Sequence, residues 1–183
     1  MLRPRKTLDA PALYEYAVRA LGRKMRTVAE LKRLLRQRVE RDANGEAAVE
    51  AVVLKLKEQR YLNDSQFAST YASYRQETEK FGRRRVIADL KTKGVHSEVI
   101  DKAVAAAYAD VNEEKLARQH LARKRLRKPN NQREAARVFR SLLHAGFSSR
   151  VIFSILRKWN VDEENLSALE TETESLDADD MPR

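Results

Sequence analysis

Cysteine is absent from the 183 residues, which excludes disulfides, thiolate metal sites and cysteine nucleophiles together. Glycine and proline number five and four, too few to punctuate the turns of a many-stranded sheet. No apolar run approaches the ~20 residues that span a bilayer. The opening Met1-Leu2-Arg3-Pro4-Arg5-Lys6 lacks the apolar stretch of a secretion signal, so a soluble, cytoplasmic chain with no membrane partner is expected. The three histidines, His96, His120 and His144, stand in no nucleophile or metal-ligand spacing. There is no glycine-rich phosphate loop, and no carboxylate pair sits in an apolar setting that would raise a pKa. These absences argue against an enzyme; no catalytic residue, metal or cofactor is expected.

What remains is rich in Ala, Leu, Arg, Lys, Glu and Gln, the strong helix formers, and predicts an all-α fold. Charged residues make up 35% of the chain, against the usual ~25%. Nine of the 27 acidic residues lie after Val161, with Arg183 the one basic residue there, so residues 1–161 carry a formal +18 and the remainder −8. A body that basic calls for a polyanionic partner, either nucleic acid or a strongly acidic protein surface.

Apolar periodicity and capping residues predict nine helices. Asp9-Ala10-Pro11 reads as a cap with proline in the first turn, and Thr27 with Glu30 as a capping box. The second helix is expected to end before the turn signal Asn44-Gly45. Asn63 and its neighbours, Ser97, Asn112 and Asn131 mark later starts, whereas Gly94 marks a left-handed end. His120 falls on an apolar stripe and reads as a core residue; His96 and His144 fall at helix ends. After Asp162 the composition turns acidic, which predicts a disordered tail. That tail either competes with a nucleic acid for the body or serves only as a solubilising terminus.

The helices repeat. Leu90-Lys91-Thr92-Lys93-Gly94-Val95-His96-Ser97-Glu98-Val99-Ile100 returns 52 residues later as Leu142-Leu143-His144-Ala145-Gly146-Phe147-Ser148-Ser149-Arg150-Val151-Ile152. Backwards, Arg85–Lys91 matches Arg26–Lys32 at an offset of 59. Three tandem three-helix repeats are expected, over 10–61, 62–109 and 110–160, followed by the acidic tail 161–183. Such an array predicts an elongated, curved body.

The basic residues carry the functional signal. Arg83, Arg84 and Arg85 open the fifth helix, where free backbone N–H groups would add to their attraction for an anion. Arg75, Lys80, Lys91 and Lys93 belong to the same unit. Arg118, Arg123, Lys124, Arg125, Arg127 and Lys128 are expected to coat the seventh helix on nearly all sides. Tyr71, Tyr74 and Phe81 lie near the first group and could stack on unpaired bases, although Phe67 and Tyr71, at i and i+4 in the inward stripe, read as packing.

One segment is more specific than this. Tyr61-Leu62-Asn63-Asp64-Ser65-Gln66-Phe67-Ala68, then Tyr71 and Arg75, then Lys80-Phe81-Gly82-Arg83-Arg84 and Asp89-Leu90-Lys91-Thr92-Lys93-Gly94-Val95, resembles the signature of the RecX family. The resemblance spans about residues 12–160. It implies a non-enzymatic regulator of the RecA recombinase in DNA repair, homologous recombination and the SOS response. Such a protein binds the RecA–single-stranded DNA filament along its groove and inhibits strand exchange, ATP hydrolysis and co-protease activity. RecA, its filament and single- or double-stranded DNA are then the expected partners of a monomeric chain. The rival expectation is a general nucleic-acid-binding protein that acts by competing for DNA.

Overall fold

The computed structural model describes residues 7–161 and 166–167. Among them are nine helices and no strand: α1 Ala10–Arg23, α2 Val28–Leu35, α3 Ala43–Glu58, α4 Asp64–Glu77, α5 Arg83–Thr92, α6 Ser97–Ala107, α7 Glu113–Arg123, α8 Gln132–His144 and α9 Ser149–Lys158. The all-α expectation holds. Of the acidic tail only Val161, Leu166, which is buried, and Ser167 are described; the expected disorder of the rest lies outside the described residues.

The starts of the helices follow the side-chain caps. Asp9, Thr27, Asn112 and Asn131 each accept a hydrogen bond from a backbone N–H three residues on, satisfying donors that a helix start leaves open. The Thr27–Glu30 capping box is complete. The region before α3 departs from expectation. Asn44-Gly45 does not form a turn between helices but lies in the first turn of α3, because Asp42 caps the helix through a 2.7 Å bond from the Gly45 N–H. Gly45 is required there by crowding, since a Cβ would come within 2.1 Å of the Glu40 carbonyl oxygen.

The ends of five helices share one device. After α3, α5, α7, α8 and α9 the chain turns through a left-handed residue, in turn Arg60, Gly94, Arg125, Gly146 and Asn160, with φ between 54° and 86°. In each, the N–H of the next residue reaches back to a leucine carbonyl five positions earlier: Tyr61 to Leu56, Val95 to Leu90, Leu126 to Leu121, Phe147 to Leu142 and Val161 to Leu156. This is the double-bonded C-terminal turn that accompanies an apolar residue on either side of the reversal. All five leucines are buried.

The chain divides into two compact bodies, and the divisions fall inside α4, inside α5 and before the last residue of α6: Met1–Ala72 with Ala88–Ala106, and Ser73–Ile87 with Ala107–Arg183. In the first body Leu13 and Ala17 of α1, Leu31 and Leu35 of α2, and Val49, Val53 and Leu56 of α3 close one apolar core. Thr27, itself buried, donates its hydroxyl to the Lys93 carbonyl at 2.6 Å, and the Val28 N–H donates to Asp64 at 2.8 Å. The start of α2 is therefore fixed by the end of α5 and the start of α4. In the second body α7, α8 and α9 pack mutually through Leu121, Phe139, Leu142, Ile152 and Ile155. His120 is buried there between Phe81 and Phe147, with ring centroids 5.8 and 6.0 Å away, as its place on the apolar stripe predicts.

Two predictions concern stability. Gly146→Ala forces a left-handed alanine whose Cβ would stand 2.2 Å from the Arg85 nitrogen, so it costs about 3 kcal/mol; Arg60→Gly relieves a left-handed side chain and gains about 0.5–1 kcal/mol. Denaturant midpoints should move in opposite directions. Burial holds the His120 pKa below 6.5, so the unfolded chain binds the proton more readily than the folded one. The contribution of His120 is whole above pH ~6.5 and is lost as the pH falls through the folded-state value. Unfolding midpoints measured between pH 7.5 and 5.5 should fall, and should fall less in His120→Leu.

Candidate nucleic-acid interface

Ten of the twelve cations singled out by the sequence lie in the second body: Arg75, Lys80, Arg83, Arg84, Arg85, Arg123, Lys124, Arg125, Arg127 and Lys128. Lys91 and Lys93 lie in the first.

The segment from Arg75 to Arg85 is held as a fixed strap. α4 ends in a wide turn, the Phe81 N–H reaching back to the Arg75 carbonyl at 3.0 Å, with Lys80 left-handed at φ 57°. Arg75 places its guanidinium 4.9 Å from the centre of the Phe81 ring, an arrangement attractive to a cation. The Phe81 carbonyl accepts from the Tyr108 hydroxyl at 2.8 Å, and burial of that hydroxyl raises its pKa and keeps it protonated as a donor. The Gly82 N–H then donates to Ala145 at 2.8 Å and the Arg84 N–H to Gly146 at 3.2 Å. Backbone lies against backbone: a Cβ on Gly82 would approach the Gly146 oxygen to 2.4 Å. Arg83, Arg84 and Arg85 are exposed on this anchored segment. The expected help from free N–H groups is reduced, since the Arg84 N–H is already spent on Gly146.

Arg123 ties the second group to the strap. Its guanidinium donates to the Thr78 carbonyl at 2.6 Å and pairs with Glu79 at 3.4 Å. The expectation that basic residues coat α7 on nearly all sides is corrected here, because α7 stops at Arg123. Leu121 and Leu126 close the left-handed turn at Arg125, so Lys124 to Lys128 form the exposed link to Pro129. Arg125, Arg127 and Lys128, with Arg137 of α8, line a shallow cleft of about 260 Å³ that also contains one carboxylate, Glu134. Arg118 is occupied otherwise: it pairs with Glu114 at 3.0 Å, and Lys158 with the same carboxylate at 2.7 Å. Lys158 foremost, then Arg118, draw the Glu114 pKa down to about 2.

In the first body Lys91 is exposed on α5, but Lys93 is engaged. Its ammonium meets Glu30 at 2.9 Å and lies 5.8 and 5.5 Å from the Phe67 and Tyr71 rings. Burial pushes the Glu30 carboxyl up, but its bond to Lys93 and the Lys93 charge outweigh this and hold its pKa below 4.5. The two rings stack at 5.8 Å, and the Tyr71 hydroxyl donates to Asp89, so this pair is packing, as its helical spacing predicts. Tyr74 is the outward aromatic, 53% exposed. The sequence reading passed over Arg19, Arg23, Arg26 and Arg38, which gather beside α1 and α2. Arg19 and Arg23 at i and i+4 were a legible sign of a shared face; nothing local connects them to Arg38.

Comparison with known proteins bears on the strap and the helices around it. The family model described as the second three-helix domain of RecX matches residues 63–104, which contain α4, α5, most of α6 and the Lys80–Arg85 segment. A regulatory protein RecX of Myxococcus xanthus is 36% identical over 171 residues, covering 83% of this chain and 89% of that one. The chain belongs to the RecX family. A RecX of Leptothrix cholodnii is 32% identical, covering 85% and 90%. Against a RecX of Geobacillus thermodenitrificans the identity is 29%, and the alignment covers 89% of this chain but 60% of the relative's length. Two crystal structures share the fold: a regulatory protein RecX at TM-score 0.65 and 24% identity, covering 81% of this chain and 71% of that one, and RecX from Lactobacillus salivarius at 0.63 and 21%, covering 82% and 96%.

Lys93 separates a structural cation from a contact residue. Lys93→Ala should lower stability by about 1–2 kcal/mol at neutral pH. Because the Glu30 pKa is depressed in the folded chain, that difference is present above pH ~4.5 and shrinks as the pH falls below it. Unfolding titrations of the two proteins at pH 7 and pH 3.5 measure this; equal stabilities at pH 7 would make Lys93 a surface charge.

Proposed function

We propose that this RecX-family chain regulates RecA by binding the RecA–single-stranded DNA filament along its groove, without catalysis, and lowers strand exchange, ATP hydrolysis and co-protease activity. The observation that carries the reading is the gathering of ten cations in one body. There the Gly82–Ala145 and Arg84–Gly146 bonds fix the backbone beneath Arg83, Arg84 and Arg85. Cations on an anchored backbone lose less freedom on meeting a phosphate or carboxylate than cations on a flexible one. Binding shifts the filament between growth and disassembly only as far as the affinities for the two states differ. The three tandem three-helix repeats, a monomeric state, a cytoplasmic setting and a role in recombinational repair and the SOS response belong to the same proposal.

The competing reading is a general nucleic-acid binder that acts by taking DNA from RecA, and the exposed Tyr74 beside Arg75 favours it, as a ring on which an unpaired base can stack. Salt separates the two. Phosphate-dominated binding loses orders of magnitude between ~50 and ~200 mM salt. In a titration into RecA, single-stranded DNA and ATP, inhibition of the ATPase should persist at a salt concentration where binding to naked DNA has vanished. Arg83, Arg84 and Arg85 changed together to Glu should weaken the ATPase effect by about tenfold or more at unchanged helix content. An unaltered effect in that variant, or no effect of the parent chain on a cognate RecA, overturns the proposal.

A further inference from the structure

The first body contains a second cationic feature, built from residues other than those assigned above. Arg19 and Arg23 stand one turn apart on α1, Arg26 lies in the link to α2, and Arg38 follows α2; all four line a cleft of about 440 Å³. That is within the size range of ligand pockets. Among the described residues no acidic side chain lines it, and its apolar lining is Leu8, Leu34, Ala12, Ala20 and Tyr16. Four guanidiniums around one concavity repel each other unless an anion joins them.

Two observations point to a missing acceptor. The Nε of Arg26 is buried with no hydrogen-bond partner, an arrangement that costs the desolvation of a charged group's donor. One carboxylate, Glu30, lines a further cleft together with Arg26 and Arg33. Both Glu30 oxygens are engaged elsewhere, one by the Lys93 ammonium at 2.9 Å and the other by the Thr27 N–H at 3.3 Å. Of the cleft's arginines, Arg19 pairs with Glu15 at 3.3 Å, but both side chains are about 70% exposed, and such a pair is weak and readily exchanged.

The chemistry of the lining selects between anions. A nucleotide would seek an open aromatic face for its base, and among the described residues the one ring lining this cleft, Tyr16, has the Arg38 guanidinium over a face at 4.7 Å. The remaining apolar lining is aliphatic and suits a branched aliphatic side chain. Guanidiniums grip carboxylates through paired N–H bonds. We propose that this cleft binds an acidic peptide, an aliphatic side chain seated on Leu8 and Leu34 and flanking carboxylates held by Arg19, Arg23, Arg26 and Arg38. The site stands apart from the filament-binding reading.

Fluorescence anisotropy tests it with the full chain and a labelled peptide of one leucine flanked on each side by paired glutamates. The expected result is saturable binding that weakens about tenfold or more in Arg26→Gln and in Arg23→Gln. Replacing the peptide's leucine by alanine should weaken it about tenfold, and the glutamine version of the peptide should not bind. Arg23, exposed on α1, keeps the test decisive if Arg26→Gln fails to fold. The Arg83, Arg84 and Arg85 to Glu variant should bind the peptide as the parent does, so failure of the filament reading leaves this result standing. Absence of saturable binding, or affinity unchanged from the parent chain in both single variants, overturns the proposal. So does a larger loss for a labelled oligothymidylate than for the peptide in Arg23→Gln, which would make the cleft a phosphate site.

Discussion

A chain of helices eight to sixteen residues long must reverse direction many times, and the reversal is the constraint from which the other features follow. Five of the helices end on a left-handed residue placed between a buried leucine and an apolar residue. The geometry demands a residue that tolerates positive φ, and glycine fills it after α5 and α8. Arg60 and Arg125 fill it after α3 and α7, and Lys80 is left-handed after α4 as well. Each of these costs roughly 1–2 kcal/mol relative to glycine, offset in part by a cation's attraction to the negative end of a helix. The turns thus fix the frame and also carry long basic side chains outward at its corners.

The reversal at Gly146 fixes the strap as well. The same left-handed glycine that closes α8 offers its carbonyl to the Arg84 N–H, and neither Gly82 nor Gly146 has room for a Cβ against the facing backbone. The two glycines therefore form one contact, although 64 positions separate them in the sequence. Arg83 to Arg85 gain a rigid base from this at the expense of one helix-terminal donor. In the first body the equivalent turn at Gly94 lies against Ala29 and presents the Lys93 carbonyl to Thr27, so the turn's neighbours in space determine whether it anchors a strap or locks a helix start.

What could be read in the sequence was whatever is settled within a few residues. Caps at Asp9, Thr27, Asn112 and Asn131 need a partner three positions away, and the left-handed ends at Gly94 and Gly146 are signalled by the residue itself; all were legible. The placement of Asn44-Gly45 inside α3 was not, because Asp42 had to outcompete the turn signal and the Glu40 carbonyl had to lie where a side chain would have been. The stop of α7 at Arg123 was hidden for another reason: arginine at the left-handed position gives no composition cue where glycine would. For the candidate site, residue types were legible but commitments were not. That Arg123 reaches Thr78 and Glu79 while Lys93 reaches Glu30 depends on partners 44 to 63 positions away.

Those commitments change what a charge count means. A formal +18 over residues 1–161 treats every cation as available to a partner, yet Lys93, Arg118, Arg123 and Lys158 are each held by a carboxylate of the same chain. A held cation still contributes to the long-range field that steers an anionic partner, but its local charge is largely cancelled at contact distance. Arg123 shows the gain from this. By giving up its own charge to Glu79 it joins the α7 terminus to the strap's Thr78–Glu79 segment, so that Lys124, Arg125, Arg127 and Lys128 leave from a fixed point. The affinity of such a surface follows less from the number of its cations than from how few of them must be ordered when a partner arrives.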